Sequence, residues 1–346
     1  MPSWRRIAVG LGALALCTTG TAVPAQAAGP AYVALGDSYS SGTGTRTYLA
    51  DGTSCQRSVY AYPSLIAASK GYSLNFRACS GAKVADVTTL QLSALSTSTA
   101  YVTISVGGND AGFADVMTTC AQPAWASNCN GAIATAQNII TGQLPGRLAT
   151  LYAAIRSRAP QATVVVAGYP RIFNGEDCNA LTWFSPDEET RLNAMADLLN
   201  ARISTAASAA GFRFANPTTA FTGHAVCDDV EWVNGLSSPV TESYHANRPG
   251  HSAGYTPLVG TRLTGSTVTA TATVLLAAEA SAPELTAQQR GHAARDKAVR
   301  PAEFRVPDLD SPATRAAAAR AGVDLSSRAS IDAVDARYAA AQAAAG

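Results

Sequence analysis

Three short runs of small and polar residues carry groups that could together break an ester: Gly36-Asp37-Ser38, Ser80-Gly81-Ala82 and Gly107-Gly108-Asn109-Asp110. A serine hydroxyl attacks a carbonyl when a base takes its proton and hydrogen-bond donors hold the oxyanion. Ser38 and Gly81 each offer a backbone N–H, and Asn109 offers a side-chain N–H. The base would be a histidine, and the chain has 4. His224 stands beside Cys227, Asp228 and Asp229, which could pass for a metal cluster, although a loop stapled by Cys227 is the simpler account. His292 lies in a polar tail. That leaves His245 and His251, both within Glu242-Ser243-Tyr244-His245-Ala246-Asn247-Arg248-Pro249-Gly250-His251. Each run also has a plain structural reading, as a turn that needs glycine or a helix cap that needs serine or aspartate.

What would bring these runs together is a parallel sheet. Tyr32–Leu35 is an apolar run suited to a buried strand, and Gly36 ends it. Leu74–Cys79 reads as a second strand, Tyr101–Val106 as a third, Thr163–Ala167 as a fourth and Phe212–Ala215 as a short fifth. Helical segments lie between them. Ala61–Ser69 has Pro63 in its first turn. Gly131–Arg158 carries apolar residues at helical spacing with a Gly/Pro interruption near Gly142–Gly146. Ser185-Pro186-Asp187-Glu188 opens a helix that runs to about Ala210. Strands alternating with helices predict a parallel sheet covered on both faces, with right-handed connections. The first three strands then end in Ser38, Gly81 and Asn109 on one edge, where such sheets bind ligands.

The composition narrows the function classes. The net charge of +1, from 25 Lys+Arg and 24 Asp+Glu, argues against a nucleic-acid partner and gives no electrostatic membrane anchor. Residues 1–27 read as a secretory signal: Arg5 and Arg6, an apolar Ile7–Cys17 stretch too short to span a bilayer, and Ala25-Gln26-Ala27 as the cleavage site. Leu16 before Cys17 is too large for the usual lipid-attachment site. The mature chain keeps Cys55, Cys79, Cys120, Cys129, Cys178 and Cys227, which in an exported protein read as disulfides; with no C-x-x-C pair, zinc is not expected. From Leu263 the composition shifts to Thr and Ala, then Pro, Arg and Asp, with Phe304 and Tyr338 the only aromatics. Residues 263–346 therefore read as an Ala-rich extension, weakly folded or docked, on a domain spanning 28–262. Alanine-rich helices are expected over Ala313–Ala321 and Ser330–Ala345. The extension has few large apolar residues, and every candidate residue precedes it, so it is expected to be dispensable for catalysis.

The motifs in order resemble the secreted lipase/esterase branch of the SGNH (GDSL-type) hydrolase family. Gly36-Asp37-Ser38 resembles the first block, Gly81 falls at the second-block glycine, Gly107-Gly108-Asn109-Asp110 resembles the G-x-N-D block and His245 falls at the fourth-block histidine. The likeness covers about Ala31 to Gly260 and not the tail. It implies a three-layer α/β/α flavodoxin-like fold with a central parallel five-stranded sheet. It implies Ser38 as nucleophile, His245 as base, and Ser38, Gly81 and Asn109 as oxyanion donors. Two positions depart from the pattern: Tyr39 follows the serine in place of Leu, and Glu242 stands where the family has Asp. Similar enzymes support the histidine through the carbonyl two residues before it, here Ser243. Asp37 reads as structural. The implied disulfides are sequential, Cys55–Cys79, Cys120–Cys129 and Cys178–Cys227. No metal or organic cofactor is expected, the substrate is an ester or lipid, and a monomer is expected. Tyr39, Phe113, Trp125, Trp183 and Trp232 are candidates to line an acyl-chain cleft. A polysaccharide deacetylase of the same fold and a secreted wall-binding protein are the alternatives.

Overall fold

The computed structural model describes residues 1–2 and 29–345. The remainder of the expected leader, with Cys17, lies outside the described residues. Five strands, β1 (Ala31–Gly36), β2 (Ser73–Phe76), β3 (Tyr101–Ser105), β4 (Thr163–Ala167) and β5 (Arg213–Ala215), form one parallel sheet in the order β2-β1-β3-β4-β5. The near-continuous apolar strands are explained by burial on both faces. Tyr62–Lys70 and Thr256–Thr264 cover one face; Cys129–Asn138, Leu144–Arg158 and Pro186–Ala209 cover the other. Val102, Ile104 and Leu35 at the centre have no exposed surface.

The differences from the sequence expectation have local causes. β2 stops at Phe76 because Arg77 and Ala78 both donate to the Ala34 carbonyl, which breaks the ladder. The expected interruption near Gly142 is a single wide turn, Ile139–Gln143, and the helix resumes at Leu144 with Pro145 in its first turn. Helices Phe113–Cys120 and Thr256–Thr264 were not expected. The boundary drawn near residue 262 falls inside the last turn of the latter. Among the described residues no helix is long and apolar enough to cross a membrane.

The extension is docked rather than loosely attached. Its composition hid this because a few residues do the anchoring. Ala272–Ala280 lies against Tyr62–Lys70, and Ala282–Arg290 against β2. Asp296, buried, bridges two fully buried guanidiniums of the sheet domain: Arg77 at 2.7 Å and Arg57 at 2.5 Å. Burial alone would push the Asp296 carboxyl up, but the Arg77 and Arg57 groups outweigh it and hold it below the ordinary carboxylate value. Farther on, Pro312–Ala321 and Arg328–Ala345 cover Trp125 and Trp183. The Trp183 indole N–H donates to Asp332 at 3.0 Å, and the Ala124 N–H to Asp335 at 2.6 Å.

Candidate active site

Gly36 ends β1 at φ 117°, a conformation glycine adopts readily. A Cβ there would also lie 2.2 Å from the Ser105 carbonyl oxygen. The buried Gln91 amide satisfies the freed backbone, accepting from the Gly36 N–H at 2.7 Å and donating to its carbonyl at 2.9 Å. The chain then turns into a short helix, Ser38–Ser41, capped by Asp37. This turn places the Ser38 hydroxyl at the edge of the sheet.

His245 arrives from the far end of the domain. Its Nε2 lies 2.9 Å from Ser38 Oγ, and its Nδ1 lies 2.9 Å from the Ser243 carbonyl oxygen. That carbonyl can reach the ring because Tyr244, between them, sits at φ 60°. A bulky residue rarely adopts this conformation and does so only where its surroundings hold it. Here Asn234 exchanges bonds with it on both sides: Tyr244 N–H to Asn234 O and Asn234 N–H to His245 O, each 2.9 Å. The Tyr39 hydroxyl donates to the Tyr244 carbonyl at 2.9 Å. Packing in the cleft desolvates the imidazole and pushes its pKa down to about 4, partly opposed by the Ser243 bond. The ring is therefore neutral at neutral pH, with the Nδ1 proton held and Nε2 ready to accept.

His251 is elsewhere. It is fully buried against Tyr62 and Tyr255, accepts from the Tyr62 N–H at 3.3 Å and is pushed down to about 3 by burial. His224 stacks on Trp232 and belongs to the loop closed by Cys178–Cys227. Glu242 is buried but turns away from His245, toward Arg46 at 3.0 Å and the Tyr48 hydroxyl at 2.6 Å.

Gly81 and Asn109 both face the cleft beside Ser38 and His245. Asn109 gives one amide hydrogen to the Ala82 carbonyl at 3.2 Å, which orients the side chain and leaves its second N–H. Among the described residues, the Ser38 and Gly81 N–H groups meet no acceptor. Asp37 holds the assembly together. It accepts from Ser105 Oγ at 2.6 Å, from the Tyr39 N–H at 3.1 Å and from the Tyr169 hydroxyl, which itself accepts from the Gly108 N–H at 3.1 Å. One carboxylate thus ties together the ends of β1, β3 and β4. Burial pushes it up to about 6 against these donors. The cysteines pair as Cys55–Cys79, Cys120–Cys129 and Cys178–Cys227. The first pins the loop leading to Gly81.

Two cavities meet at Ser38 and Asn109. One is apolar, lined by Tyr39, Phe113, Met117, Ile140, Phe173 and the Leu192–Leu199 face of helix Pro186–Ala209, among others. The other is polar and holds His245 and Gly81. Of the five aromatics expected to line an acyl cleft, only Tyr39 and Phe113 do so. Trp125 and Trp183 are buried under the extension, and Trp232 packs on Phe221 and His224. Sequence reading missed Gln91, Tyr169, Asn234 and the Leu192-Met195-Leu199 stripe. The stripe has the 3–4-residue spacing of one helix face, a signal that could have found it.

Residues 34–253 match the GDSL-like Lipase/Acylhydrolase family. Lipase 1 of Streptomyces coelicolor is 44% identical over 256 residues, 73% of this chain and 93% of that protein. A lipase of Streptomyces rimosus is 45% identical over 230 residues, 66% of this chain and 85% of its own length. Among solved structures, the S. rimosus extracellular lipase superimposes with a TM-score of 0.63 at 44% identity, over 67% of this chain and 98% of that one. Phospholipase A1 from Streptomyces albidoflavus gives 0.64 at 40% identity, over 68% and 100%.

Proposed function

The chain belongs to the GDSL-like lipase/acylhydrolase family and is a carboxylic ester hydrolase of the lipase/esterase type, and we propose that it works through an acyl-Ser38 intermediate. The observation that carries this reading is the alignment Ser38 Oγ, His245 Nε2, His245 Nδ1, Ser243 O, with both spacings 2.9 Å. His245 removes the Ser38 proton as Oγ attacks the ester carbon. The Ser38 and Gly81 N–H groups and the Asn109 amide hold the oxyanion. His245 then returns the proton to the leaving alcohol, and a water repeats the sequence to free the acid. Every step is carried by the chain's own groups, with the Ser243 carbonyl where a triad carboxylate would otherwise stand.

The leaving oxygen must sit where His245 can protonate it. The polar cavity contains His245 and the apolar cavity does not. The alcohol therefore belongs in the polar cavity and the acyl chain in the apolar one. An apolar cavity supports acyl chains longer than acetyl, which disfavours the deacetylase alternative. Export is part of this reading, supported by three disulfides and by the extracellular lipase among the relatives. A p-nitrophenyl ester panel from acetate to palmitate tests it. Turnover should persist well beyond acetate and vanish in Ser38→Ala. Turnover of acetate alone would favour a deacetylase, and no turnover at all would favour a binding protein.

A further inference from the structure

The polar cavity is closed on one side by the C-terminal extension. Between Asp296 and the helix Pro312–Ala321 the chain crosses the cleft as an irregular strand, and Pro301, Ala302, Glu303 and Phe304 join Ser38, Gly81 and His245 around the cavity. Pro301 lies directly on Gly81: a Cβ built on that glycine would come within 2.4 Å of the proline ring. The strap is held at both ends. Upstream, Asp296 is clamped between Arg57 and Arg77, and Arg57 also donates to the Ala78 carbonyl at 2.8 Å, just ahead of the Gly81 turn. Downstream, Phe304 is buried against Tyr244, ring centroids 5.0 Å apart, and the Arg305 N–H donates to Thr118 at 3.0 Å. The strap therefore roofs the cleft without filling it, leaving a cavity of about 180 Å³. A single water needs about 10–15 Å³ of such space, so this is room for an alcohol of several heavy atoms.

We propose that residues 301–304 form a wall of the leaving-group subsite and limit the enzyme to esters of small, neutral, hydroxyl-bearing alcohols of about glycerol size. The class follows from the lining. Ser54, Gln56 and Thr241 offer hydrogen bonds, and Glu303 is the one acidic side chain among the lining residues, beside a neutral His245. A carboxylate there repels a phosphate-bearing alcohol. The family match ends at residue 253, before this wall begins.

The inference rests on the assignment of Ser38 and His245 above. The test uses the full mature chain and three butyryl esters, so that the acyl cavity is common to all: ethyl butyrate, glycerol monobutyrate and dibutyryl-phosphatidylcholine. The wild type should favour glycerol monobutyrate. In the triple variant Pro301→Gly, Ala302→Ser, Glu303→Gly, kcat/KM for the phosphatidylcholine relative to ethyl butyrate should rise at least tenfold. In Ala302→Trp, which adds bulk to the wall and leaves the anchors at Asp296 and Phe304 in place, the glycerol-to-ethyl ratio should fall by a similar factor. Ratios that stay the same in both variants overturn the proposal. So does an equal rise for all three esters in the triple variant, which would make the strap a general inhibitor. Turnover surviving Ser38→Ala would instead overturn the underlying active-site assignment.

Discussion

The Ser243 carbonyl, not the Glu242 carboxylate, faces His245: the carbonyl oxygen is 2.9 Å from Nδ1, while Glu242 is engaged by Arg46 and Tyr48. Losing a true triad carboxylate costs about 10⁴-fold in kcat. Glu242→Ala should therefore cost roughly tenfold or less, about 1.4 kcal/mol, and His245→Ala should nearly abolish turnover. His251→Ala should reduce activity only through stability. Steady-state kinetics beside circular dichroism decide. A thousandfold loss in Glu242→Ala would move the supporting role to that side chain.

Asn109→Ala removes a donor aimed at the cleft. Removal of one oxyanion donor costs about 10²–10³ in kcat, and that range is expected here, with KM little changed. Tyr169→Phe removes the hydroxyl that joins Gly108 to Asp37 and should lower kcat by about tenfold or less, because it acts on position alone. A Tyr169→Phe loss as large as that of Asn109→Ala would show that the hydroxyl does more than hold the loop.

The pH dependence separates the two histidines. The base acts neutral, and burial has pushed His245 to about 4. The acid limb of kcat/KM should therefore fall near pH 4, well below the ordinary histidine value of about 6.5. His251 stands away from the reacting groups and affects stability alone; His245 shifts stability in the same direction and cancels when wild type is compared with a His251 variant. The folded pKa of His251, about 3, lies below its unfolded value, so between these values the unfolded chain binds the extra proton. Its contribution is complete above about pH 6.5 and is lost as pH falls. From pH 6.5 to 5, wild type should lose about 2 kcal/mol relative to His251→Gln. Asp37, raised to about 6, and Glu188 and Glu189, raised to about 7, run the other way: their contributions are complete below about pH 4 and are lost as pH rises through the folded values. Urea midpoints of the two proteins across this range cancel those carboxyls. A constant difference would refute the assignment.

Asp296→Ala leaves Arg57 and Arg77 buried without the carboxylate they share. Breaking a buried pair from one side costs about 3–5 kcal/mol, and Arg57 keeps Asp51 at 2.7 Å, so the lower part of that range is expected. Chemical denaturation measures it. A loss below about 1 kcal/mol would mean that the extension is held by its helices alone. The same contacts revise the dispensability expected for the extension. A chain ended after Gly265 should be markedly less stable than the full chain, even where it turns over small esters.

Much of the layout of the candidate site was legible because its parts are local. Gly36-Asp37-Ser38, Ser80-Gly81 and Gly108-Asn109 each follow a strand, and a parallel sheet carries all three ends to one edge. The support behind them was not legible. Tyr169 and Gln91 act through single hydroxyl and amide groups far away in sequence, and nothing in their neighbours announces a partner. The left-handed Tyr244 was hidden because its conformation is imposed by Asn234 and Tyr39, not by its own preference. Trp125 and Trp183 were misplaced for a related reason. An exposed-looking aromatic near a strand end suits a cleft, but here it is the floor on which an alanine-rich helix rests.

The clamp of Arg57, Asp296 and Arg77 also bears on transplantation. The ligand of the clamp is in the extension, and both of its jaws are in the sheet domain. A graft of residues 263–345 onto a related lipase would bring the clamp's carboxylate, Asp296, and neither of the two arginines that receive it. Recipients without guanidiniums at both places would receive a buried, unpaired anion beside the second strand. The extension is thus portable only together with its two receiving arginines, and their joint presence in another sequence marks a host able to carry the same strap.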